Sequence, residues 1–115
     1  MDADEHRSET ARPIVVCLCG STRFKEAFDQ ANLEETLAGR IVLSVGSYLR
    51  SDQELGLSPE TKARLDELHL RKIHLADEVL VLNVGGYIGD STRRELEYAR
   101  QQGKRVRSLE ELPPR

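Results

Sequence analysis

Two continuous apolar runs, each stopped by glycine and followed by a helical pattern, limit what this chain can fold into. Ile14 to Cys19 reads IVVCLC and ends at Gly20, and Val79 to Val84 reads VLVLNV and ends at Gly85. A strand with one wet face alternates apolar and polar residues. β-Branched runs without alternation belong to strands covered on both faces, as in a parallel sheet between helical layers.

The rest of the chain fits that frame. From Thr22 the period becomes helical, with Phe24, Ala27, Phe28 and Ala31 on one stripe and Gly39 just past its end. Ile41 to Val45 (IVLSV) reads as a second buried strand. Ser58 before Pro59 marks a helix start, because serine can cap free amides and proline fits the first helical position; that helix is expected to reach about Ala76. Further on, Ser91 to Gln102 reads as a helix and Lys104 to Arg107 as a short strand. Strands alternating with helices define the α/β class, and right-handed crossovers place helices on both faces of a parallel sheet. Residues 1–12 are charged and aperiodic and read as a flexible arm, leaving 13–115 as one domain.

Charge and apolar content exclude several roles. With 17 Lys+Arg against 20 Asp+Glu the net charge is -3, so no basic face is expected for duplex nucleic acid. No apolar run approaches the ~20 residues that span a bilayer, and the acidic start is unlike a signal peptide; a cytoplasmic protein without membrane contact is expected. Cys17 and Cys19 point to the same strand face, too close along the chain for an easy disulfide, and read as small core residues. No His/Cys/Asp/Glu group has metal-ligand spacing in sequence, so neither metal nor cofactor is expected.

In parallel sheets ligands bind beyond the carboxyl ends of the strands, and two segments lie there. Gly20-Ser21-Thr22-Arg23 joins a buried strand to a helix start: glycine permits close approach, free amides favour an anion, and Arg23 offers a bidentate charge. Alternatively, Ser21 or Thr22 only caps the helix. The second segment, Gly85 to Glu95, holds three glycines, Tyr87 to stack or hydrogen-bond, and Gly89 and Ser91 at the approach to the next helix. Thr92-x-x-Glu95 matches a capping box, which would make Glu95 a structural residue. At about 100° per residue, however, Glu95 sits on the inward side with Thr92, Leu96 and Ala99, where a nucleophile or general base would be placed. His69 shares a face with Leu65, Ile73 and Ala76 and is either a core histidine or a second catalytic group. Asn83 ends its strand on the ligand side, where it either reads a base or sugar or bonds local backbone. Ser47, shortly after the second strand, is placed to help hold a phosphate. The Gly46 to Leu57 loop is long for its class and a candidate functional loop.

Taken together, CGSTRF after the first strand and LADEVLVLNVGGYIGDSTRRELEYA from Leu75 to Ala99 resemble the nucleoside 2-deoxyribosyltransferase superfamily, which includes 2'-deoxynucleoside 5'-phosphate N-hydrolases. The resemblance covers roughly Ile14 to Leu109. It implies a Rossmann-like sheet of order 2-1-3-4, a homodimer or larger homo-oligomer, and a nucleoside or nucleoside 5'-monophosphate as substrate. By the same resemblance Glu95 is similar to the family's nucleophile, and Gly20, Ser21 and Arg23 to the turn that meets a 5'-phosphate. The register of the family's acidic residue on the preceding helix falls on His69, with Asp66 one turn earlier. The implied reaction is N-glycosidic cleavage through a glycosyl-enzyme, by hydrolysis or base transfer.

Overall fold

The structure is a computed structural model and describes residues 12–45 and 56–113. Ser47 and most of the Gly46 to Leu57 loop lie outside the described residues. The elements are β1 (Val15–Cys19), α1 (Lys25–Leu37), β2 (Ile41–Leu43), α2 (Pro59–Leu75), β3 (Glu78–Val81), α3 (Asp90–Gln101) and β4 (Arg105–Ser108), with a 3₁₀ turn at Val84–Gly86. The four strands form one parallel sheet in the order β2-β1-β3-β4. With helices on both faces, this is the Rossmann-like α/β architecture that the strand and helix pattern implied.

Alternation along β1 divides the core in two. Val16 and Leu18 face α1 and pack with Phe28, Ala31, Leu80 and Leu82. Cys17 and Cys19 face the other way, toward α2 and α3, with Ile73, Val79, Val81, Leu96 and Ala99. The sequence reading of β1 and β3 as strands buried on both faces therefore holds. The same reading fails for β2, whose Ile41 is 46% exposed. Its position at the sheet edge, beside β1 alone, leaves part of an apolar run in solvent, since periodicity does not tell an edge strand from a central one.

Local signals act where expected at α2: Ser58 Oγ accepts a hydrogen bond from Thr61 N, and Pro59 occupies the first helical position. At the far end of α2, Asp77 secures the start of β1. Its Oδ2 accepts from Val15 N at 2.8 Å, its own amide donates to Val15 O at 2.8 Å, and Arg12 pairs with both carboxylate oxygens at 2.6 and 2.7 Å. Arg12, assigned from sequence to the flexible arm, is thus tied to the domain.

A network of charges closes the amino-terminal end of the sheet on the α1 face. Glu78 is nearly buried in β3, accepts from Arg107 Nε at 2.9 Å and has Nη2 of the same guanidinium at ion-pair distance, 2.7 Å. Arg107 also grips Glu35 of α1, which is paired in turn with Arg40 at 3.5 Å. Breaking a buried pair costs more than the pair contributes, because the remaining charge is left without a partner. Arg107→Met is accordingly expected to lower stability by about 3–5 kcal/mol, read as a fall in the urea midpoint. Arg105→Met, removing an exposed guanidinium 4.0 Å from Glu78, should change stability by less than about 1 kcal/mol.

Candidate active site

The site begins where β1 ends. A Cβ on Gly20 would lie 3.1 Å from Leu82 Cβ and 3.2 Å from Leu82 O, so a larger residue would have to push the two strand ends apart by a few tenths of an ångström. The chain then turns through Ser21, whose Oγ accepts from the Arg23 amide at 3.3 Å and from its Nε at 3.2 Å. Helix α1 starts at Lys25, later than the periodicity suggested, with Phe24 in the cap position and no side-chain cap. Neither Ser21 nor Thr22 is a helix cap.

The second segment leaves β3 through Gly85 and Gly86, both with positive φ (64° and 84°), a conformation that strains other residues. Tyr87 then joins the two turns. Arg23 lies over its ring at 4.4 Å, and Phe24 meets it edge-on with centroids 5.9 Å apart. Helix α3 starts at Asp90 with Gly89 as N-cap and again no side-chain cap. Thr92 is therefore the third residue of the helix and Glu95 the sixth, one turn too deep for a capping box. The capping reading of Glu95 is overturned: its carboxylate points to α2, where Oε1 lies 3.8 Å from His69 Nε2.

A cavity of about 570 Å³ opens at the strand ends. Its walls are Gly20, Ser21 and Thr22 on one side, Tyr87 and Gly89 to Thr92 with Glu95 on another, and Lys62, Asp66, His69 and Lys72 of α2 on a third. Seven sequence candidates, Gly20, Ser21, His69, Tyr87, Gly89, Ser91 and Glu95, thus meet in one place. Arg23 is held beside it, against Tyr87. Asn83 is not part of it: its Nδ2 donates to Glu110 O at 3.1 Å, and its Oδ1 accepts from Leu109 N and Glu110 N at 3.1 and 3.0 Å. The local-bonding alternative for Asn83 is correct, and the residue secures the segment after β4.

Beneath the cavity lies a group that sequence spacing did not suggest. His69 Nε2 is 3.5 Å from Cys19 Sγ and 3.7 Å from Cys17 Sγ, and all three residues are buried. Because Cys17 and Cys19 share a strand face, both thiols meet the one histidine that α2 turns inward; the histidine comes 50 residues later in sequence, beyond the reach of any spacing rule. Lys62, Asp66 and Lys72 were also overlooked as a set, although they flank His69 at helical spacing. Lys72 Nζ additionally donates to Ser44 O at 2.7 Å.

These neighbours perturb one another. The hydrogen bond with Cys19, opposed by burial and reinforced by His69, draws the Cys17 thiol down to about 6, while Cys19 is held well above its usual range by Cys17 and by burial. Burial disfavours the His69 imidazolium, yet Cys17 and Glu95 together raise its pKa. Glu95 is raised from 4.5 to about 6, chiefly by burial, with His69 pulling the other way. Compared with protein families, curated proteins and solved structures, the chain finds no match in any of the three.

A raised carboxyl pKa means that the folded chain binds this proton more tightly than the unfolded one. Stability from Glu95 is then complete below pH 4.5, falls as pH rises and is gone above about 6. Glu95→Gln, which does not ionise, is expected to gain on wild type by about 2 kcal/mol across that interval, measured as the difference between their urea midpoints at a series of pH values.

Proposed function

We propose that this chain cleaves the N-glycosidic bond of a nucleoside or nucleoside 5'-monophosphate, by hydrolysis or transfer to a second base, through a glycosyl-enzyme on Glu95. The observation that carries the reading is the Glu95 carboxylate, desolvated and facing His69 in a cavity at the carboxyl ends of parallel strands. The motif resemblance around Gly20 to Phe24 and Leu75 to Ala99 gives the reaction class.

In this reading ionised Glu95 attacks C1' as the base departs, and His69 supplies positive charge beside it and a proton for the leaving group. Desolvation favours attack, since a nucleophile without a water shell has less solvation to lose. Helix α3 lacks a side-chain cap and its first residues, Asp90 to Thr92, line the cavity opposite the Gly20 to Thr22 turn, so its free amides suit a 5'-phosphate. Arg23, aligned by Tyr87, adds a cation at that edge. A second copy of the chain would cover the open side, where Leu65 and Leu68 of α2 line the cavity while remaining about half exposed (47% and 49%).

Incubation with a panel of nucleosides and 5'-monophosphates, followed by chromatography for free base, is expected to show release with an acid limb near pH 6, the pKa of Glu95. Glu95→Gln should slow release by at least about a thousandfold; release at the wild-type rate would refute the mechanism. Arg23→Ala should raise KM for monophosphates and leave nucleosides unaffected. Turnover that requires an added second base would identify a transferase.

A further inference from the structure

The cluster under the cavity has a geometry that the glycosidase reading does not call for. We propose that Cys17 Sγ, Cys19 Sγ, His69 Nε2 and a Glu95 carboxylate oxygen form a binding site for one thiophilic divalent cation of the zinc class.

The distances place three soft donors for tetrahedral coordination and leave the fourth position on the side of Glu95. Tetrahedral zinc, with Zn–S of about 2.3 Å and Zn–N of about 2.0–2.1 Å, places sulfur and nitrogen about 3.6 Å apart. The observed Sγ to Nε2 separations are 3.5 and 3.7 Å, and the three soft donor atoms all lie within 4.8 Å of one another. Glu95 Oε1 lies 3.8 Å from the same nitrogen but outside the 4.8 Å within which the three soft donors meet, so it becomes the fourth ligand by turning its side chain toward the thiols. The donors stand on β1, α2 and α3, elements packed against one another, so the set is preorganised. Two buried thiols alone would serve as small core residues; with an imidazole between them and a carboxylate beside it they make a soft donor set. On binding, each thiol gives up its proton to solvent, His69 coordinates as neutral imidazole, and Glu95 coordinates as carboxylate. Lys72, nearby on α2, offsets part of the negative charge of the thiolates. Metal and sugar would compete for Glu95, so a loaded site holds the nucleophile away from substrate.

The proposal goes beyond the glycosidase reading, and its test needs no substrate. The reduced, metal-free full chain is titrated with Co²⁺ and then Zn²⁺ while absorbance is recorded. Expected are one Co²⁺ per chain, intense tetrahedral d–d bands with thiolate-to-cobalt charge transfer, and displacement by Zn²⁺. Cys17→Ser and Cys19→Ser should each reduce the charge-transfer intensity and weaken binding at least about tenfold. Glu95→Gln should keep both thiolate bands and bind about tenfold more weakly. A spectrum like that of aqueous Co²⁺ in the wild-type chain, or thiolate bands of undiminished intensity in both cysteine variants, would overturn the site. A tetrahedral spectrum together with no base release by the metal-free chain would support the metal site and count against the glycosidase reading alone.

Discussion

The register of β1 decides what lies on each side of the sheet. Successive residues of a strand point to opposite faces, so a slip by one position would exchange Val16 and Leu18 with Cys17 and Cys19. The thiols would then face Phe28 under α1, and His69 would meet branched aliphatic groups. The contacts between Asp77, Val15 and Arg12 fix the start of the strand, far from the cavity, and the close approach of Gly20 to Leu82 fixes its end. Between these two anchors the chemistry of the site follows from alternation.

The two ends of the sheet treat buried charge differently. At the amino-terminal end, Glu35 and Glu78 are matched by Arg107 and Arg40, and guanidinium geometry gives the carboxylates several donors. At the carboxyl end, Glu95 has one basic neighbour at 3.8 Å, and burial raises its pKa. The first arrangement stabilises; the second keeps a carboxylate poorly solvated, which costs stability whenever it is ionised. A shifted carboxylate in a cleft, set against fully paired charges at the other end, is what marks the carboxyl end as the candidate site.

Much of this was legible in the residues, for identifiable reasons. The doubly buried runs of β1 and β3, the Ser58-Pro59 start of α2 and the two strand-end turns are local signals that form in the expected places, although β3 stops at Val81, short of Val84, and α1 starts at Lys25, after Thr22. Failures came where a local pattern competes with tertiary placement. Ile41 to Val45 is as apolar as a central strand but lies at the edge. Thr92-x-x-Glu95 fits a capping box, yet α3 begins at Asp90 because Gly89 supplies the extended backbone before it. Asn83 ends its strand on the ligand side but is consumed by the chain beyond β4. The meeting of Cys17, Cys19 and His69 depends on which face of α2 packs on β1, information that no short spacing carries.

The start of α3 at Asp90 has a consequence for Glu95 beyond ruling out a cap. The field of the helix dipole fades within the first turn, so a carboxylate at the sixth position draws little stabilisation from it. What the first turn offers, the amides that follow Gly89, is left for another anion at the cavity. Glu95 must therefore find its compensating charge outside its own helix, and the group within reach is His69. The imidazole in turn is braced by two thiols whose ionisation alters its charge. One proton moved among Cys17, Cys19, His69 and Glu95 changes the state of all four, and a carboxylate in such a group responds to whatever enters the cavity, a substrate or a cation, as a unit with its neighbours.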